Sequence, residues 1–116
     1  MTDQIHIPDV ARYSYRVTFS PEDDEFVATC LELPSLSWLA NSPEQALRGL
    51  RDLATEIVED MARGGESVPE PFATRSYSGK FNVRIGEELH RRLAMEAADS
   101  HVSLNQHILT KLSAAS

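Results

Sequence analysis

The sequence predicts an α+β protein built in two parts: a small antiparallel sheet covered by one helix, then a strand-helix-helix unit. Three observations carry that prediction. Two β-rich runs flank a Pro/Asp turn cluster, a long amphipathic stripe follows them, and beyond a Pro- and Gly-containing boundary one alternating strand precedes two short helical patterns.

The first run, "YSYRVTF" (13–19), and the second, "FVATCLEL" (26–33), are rich in β-branched and aromatic residues and enclose "SPEDDE", so they read as a hairpin. Pro34 breaks the second run, and "SLSWLA" (35–40) has the length of a short third strand. Ser42, Pro43 and Gln45 then occupy the N-cap, N1 and N3 positions of a capping box. From there Ala46, Leu47, Leu50, Ala54, Ile57 and Met61 recur at helical spacing, widened by Leu53 and Val58, while Arg48, Arg51, Glu59 and Asp60 fall mostly elsewhere. The helix is expected to end at Gly64-Gly65. Sheet and helix together make a two-layer domain over residues 1–70. Pro69, Pro71 and Ser78-Gly79 mark the boundary, with residues 71–77 as a linker in which "FATRSY" has the composition of an edge strand.

The remaining residues, 78–116, open with "KFNVRI" (80–85), where Lys80, Asn82 and Arg84 alternate with Phe81, Val83 and Ile85. A strand sends these triplets to opposite faces. After Gly86, Glu87 and Glu88 suit a helix N-terminus, and Leu89, Leu93, Ala94 and Ala97 form an apolar stripe. "SHV" turns the chain, and Ser103 with Gln106 makes a second capping box ahead of Leu104, Ile108 and Leu112. A unit of this size cannot bury its own core, and a lone strand leaves an unpaired edge. Antiparallel pairing of two copies remedies both. The paired ribbon would fit the major groove of double-stranded DNA, with Lys80, Asn82 and Arg84 reading base edges. The free N–H groups around Ser103, Leu104 and Asn105 would hold a phosphate.

Charge divides the chain along the same line. Residues 1–77 hold six Lys+Arg against 14 Asp+Glu, a net −8, and residues 78–116 hold five against four, a net +1, which sum to the −7 of the whole. Phosphates would be repelled by the front, which suits a basic protein partner, and the tail is left as the nucleic-acid candidate. The N-terminus carries acids and no apolar run, and no stretch approaches a membrane span. The expectation is a cytoplasmic protein with no signal peptide and no membrane association.

No cofactor, metal or catalytic role is expected. The single Cys30 cannot form an internal disulfide and reads as a small buried hydrophobe. His6, His90, His101 and His107 lack a metal-ligand spacing with it. Glu22, Asp23, Asp24 and Glu25 lie consecutively in a hairpin turn, so their carboxylates diverge rather than converge on a metal. They are better placed to offer negative charge to a basic partner, with Trp38 as a core or interface residue.

On these residues the tail, "KFNVRIGEELHRRLAMEAADSHVSLNQHILTKL", resembles the ribbon-helix-helix fold of the Arc and MetJ repressors. The resemblance implies base reading by Lys80, Asn82 and Arg84 and phosphate contact at Ser103, Leu104 and Asn105. Gly86 stands where that family often has Pro, and His101 stands where it often has Gly, which implies left-handed backbone geometry at His101. The front, "YSYRVTFSPEDDEFVATCLELPSLSWLANSPEQALRGL", with its helix and Pro-rich linker, is similar to HicB-type antitoxins. Ser35 stands where a glycine commonly follows the proline. This second resemblance implies a first domain related to a partly degraded ribonuclease H fold that binds HicA, a small mRNA-cleaving ribonuclease toxin; the family's contact surface is not encoded by one motif, and the toxin-binding candidates Glu22, Asp23, Asp24, Glu25 and Trp38 come from the charge and interface reading above. It also implies a second domain that dimerises on the operon's own operator and leaves room for higher association through the first. Two rival readings come from other classes: a free-standing regulator whose first domain senses a small molecule, and a vestigial nuclease.

Overall fold

The computed structural model describes residues 6–115, which divide into two compact units on either side of the Tyr77–Ser78 junction. The first is α+β. Strands β1 (Tyr15–Ser20), β2 (Glu25–Cys30) and β3 (Ser37–Ala40) form one antiparallel sheet in the order β1-β2-β3. The register places Tyr15 opposite Cys30, Val17 opposite Ala28 and Phe19 opposite Phe26, and continues with Ala28 opposite Trp38 and Phe26 opposite Ala40. Because side chains alternate, those residues share the face that helix α1 (Pro43–Arg63) covers.

Helix α1 begins where the capping box predicts: Ser42 Oγ accepts from Gln45 N at 3.2 Å, and Pro43 opens the first turn. Its end is a Schellman closure in which Glu66 N donates to Met61 O and Gly65 N to Ala62 O, with Gly65 at φ 75°. Ala46, Leu50, Ala54 and Val58 form its buried ridge, packed with Tyr13, Ala28, Cys30 and Leu33. Small residues on the central turns let the helix approach the sheet closely.

Three expectations about the first unit change in detail. The second strand stops at Cys30, because the side chain of Glu32 turns inward and Leu36 N donates to Leu33 O, closing a turn around Pro34. "FATRSY" is not an edge strand: Phe72–Thr74 is a short 3₁₀ turn whose first N–H is taken by Glu32. Residues 71–77, expected as a linker, lie within the first unit, where Pro71 is buried and Arg75 sits over the Phe72 ring at 3.6 Å.

The second unit consists of residues 80–85 followed by α2 (Glu87–Asp99) and α3 (Leu104–Ala114). Helix α2 ends with His101 N donating to Ala98 O and Val102 N to Ala97 O, and His101 holds the left-handed φ of 58°. Ser103 Oγ accepts from Gln106 N at 3.0 Å and caps α3. The single chain offers Lys80–Ile85 no ladder partner, so these residues are not assigned as a strand.

Candidate functional site

In the second unit the polar triplet Lys80, Asn82 and Arg84 is exposed. So is its apolar counterpart, with Phe81 at 78% and Val83 at 63% exposure, together with Met95 on α2 and Leu109 and Leu112 on α3. Ala97 is the one buried apolar residue among those described in this unit. Half-buried Leu89, Leu93, Leu104 and Ile108 hold the two helices together. Across them Glu96 Oε1 receives a hydrogen bond from His107 Nε2 at 2.8 Å and lies 3.4 Å from Lys111 Nζ. Those two donors, His107 first, hold the Glu96 carboxyl below its ordinary range.

At the start of α3, Ser103 satisfies Gln106 N, and His107 N makes the first intrahelical bond back to Ser103 O. The N–H groups of Leu104 and Asn105 therefore have no acceptor among the described residues. An anion is favoured at such a helix start by both free donors and the helix dipole. The structure thus leaves both sequence-predicted sets of this unit accessible, the triplet at 80–84 and the helix start at 103–105.

The first-unit candidates do not form one cluster. Glu22, Asp23 and Asp24 are exposed on the turn between β1 and β2, and Glu25 opens β2 half-buried. Ser20 Oγ donates to Asp23 Oδ2 at 2.9 Å, and Asp24 holds φ 53°. Trp38 stands opposite Ala28, three residues along β2 from Glu25, and its indole lies over α1: a methyl group on Gly49 would fall 2.0 Å from Trp38 Nε1. Among the described residues no group of three or more His, Cys, Asp or Glu is placed to hold a metal ion. A shallow groove beside α1 is lined by Val10, Glu44, Leu47, Arg48, Arg51, Asp52 and Thr55.

Sequence reasoning missed Glu32. It is 5% exposed and accepts from Ser14 N at 2.8 Å, Phe72 N at 3.0 Å and Ser14 Oγ at 3.2 Å. Burial pushes its carboxyl up, but the backbone donors of Ser14 and Phe72 outweigh that and hold it below the ordinary range. Cys30 Sγ donates to Glu32 Oε1 at 3.6 Å, and burial first, with the nearby carboxylate adding to it, pushes the thiol up. Tyr13 Oη donates to Pro69 O at 2.6 Å and Tyr15 Oη to Val10 O at 2.7 Å; burial raises both phenols to about 12. Every one of these polar groups is satisfied from within. The cluster fastens the ends of the first unit and presents no free nucleophile.

Compared with known families, residues 65–112 match the model of the HicB family. No curated protein and no solved structure matches the chain. No helix among the described residues is long and apolar enough to cross a membrane.

Proposed function

We propose that this chain is an antitoxin of the HicB type, whose first unit neutralises a HicA-like mRNA-cleaving toxin and whose second unit represses its own operon. The family match at residues 65–112 carries this reading and supports HicB-type membership. In the second unit, two copies pair residues 80–85 antiparallel as a ribbon-helix-helix dimer, which would cover Phe81, Val83 and Ile85 and present Lys80, Asn82 and Arg84 to operator DNA. Leu104 N and Asn105 N at the start of α3 take a phosphate and set the depth of the ribbon. The first unit, with its net −8 over residues 1–77, supplies the negative partner for a basic ribonuclease and needs no catalysis of its own.

One experiment tests both halves. The small basic protein encoded by the adjacent reading frame is expressed with the full-length chain or its Arg84→Ala variant, beside a reporter driven by the operon's promoter. The expected outcome is growth arrest by the small protein alone, relief by both forms, and repression by the wild type only. Absence of an arrest that the chain relieves would overturn the antitoxin function, and full repression by Arg84→Ala would remove the ribbon as the reading head.

A further inference from the structure

A three-stranded sheet has two edges, and here they differ. The edge strand β1 carries the exposed Arg16 at its second position, a charge of the kind that discourages strand addition. The β3 edge reads Ser-Trp-Leu-Ala, with no charge and no proline. Its two large side chains alternate between the faces of the sheet, and both remain open, Trp38 at 42% and Leu39 at 39% exposure. The Trp38 ring is held in place by its contact with Gly49, so the edge is ordered as well as bare.

The helix flanks differ as well. On one side of α1, Arg48 and Arg51 face the groove that Val10 lines. The Trp38–Gly49 contact identifies the other side as the β3 flank. At helical spacing from Gly49 the same flank carries Glu56 and Asp60, both exposed, whereas Asp52 lines the groove with Arg48 and Arg51. Asp60 pairs with Arg63, and Glu56 has no ion-pair partner among the described residues. A second copy of this acidic unit would bring like charge to that flank, and a basic segment would bring the complement.

We infer that the free edge of β3 is the docking surface for an extended, basic segment of the protein partner. The segment adds as a fourth strand, with its apolar side chains against Trp38 and Leu39 and its cations toward Glu56 and Asp60. This surface rests on the antitoxin reading and locates its contact. It keeps Trp38 from the sequence-predicted set and runs from Ser37, opposite Thr29, to Ala40, opposite Phe26 and so beside the Glu22–Glu25 turn.

The test uses the full chain with the basic protein of the adjacent reading frame. Amide hydrogen exchange is followed by mass spectrometry, and affinity by calorimetry. Exchange across Ser37–Ala40 is expected to slow in the complex. The Glu56→Lys variant should bind several-fold more weakly with an unchanged melting temperature, while Arg48→Glu/Arg51→Glu keeps wild-type affinity. A complex that leaves Ser37–Ala40 exchange unchanged, or that Glu56→Lys forms at full affinity, overturns the β3 surface and leaves the antitoxin function standing. If no complex forms and no growth arrest is relieved, both are overturned.

Discussion

A carboxylate taken out of water persists only where donors replace the lost hydration, and Glu32 has Ser14 N, Ser14 Oγ and Phe72 N for that purpose. Its folded pKa is lowered, so the stability it contributes is present above its ordinary value near 4.5 and is lost as pH falls through the lowered one. Glu32→Gln should therefore cost about 1–3 kcal/mol at neutral pH in urea unfolding. That difference should shrink in acid; a difference that stays constant into strong acid would show that shape rather than charge makes the site. Glu32 was hard to read in advance because its donors come from residues 18 and 40 positions away. A lone Glu between Leu31 and Leu33 was the only local sign. Ser42, Ser103 and His101 were legible because cap and turn geometry is set within four or five residues.

At the level of elements, the helices follow their apolar periodicity and capping residues closely, since both signals are local. The strands follow less closely. β2 ends early because a distant backbone donor draws Glu32 inward, and Phe72–Thr74 coils because its first N–H is already committed. The packing of α1 on β3 turns on one position that periodicity does not single out, Gly49. Gly49→Ala gains up to about 1 kcal/mol in helix propensity but drives a methyl into the Trp38 ring, where overpacking costs roughly 1–3 kcal/mol. The expected net result is a lower melting temperature with altered tryptophan fluorescence. An unchanged emission spectrum and a higher melting temperature would mean that the indole does not rest on that helix turn.

Across the whole molecule, the two units differ in how much apolar surface they close. The first has a continuous core from Tyr13 to Val58, whereas the second leaves Phe81, Val83, Met95, Leu109 and Leu112 open. The alternating pattern at 80–85 was readable in the sequence, but no strand of the single chain pairs with it among the described residues, so no ladder is seen there. Thermal unfolding of the full chain should show one transition that rises with protein concentration, from the second unit, and one that does not. Two transitions that both ignore concentration would argue against dimerisation through residues 80–85. Phe72 N on Glu32 and Tyr13 Oη on Pro69 O make residues 69–72 part of the first unit's fold rather than a tether. A chain cut after Gly65 would leave a buried carboxylate short of a donor, so it should resist protease less well than a chain cut after Tyr77.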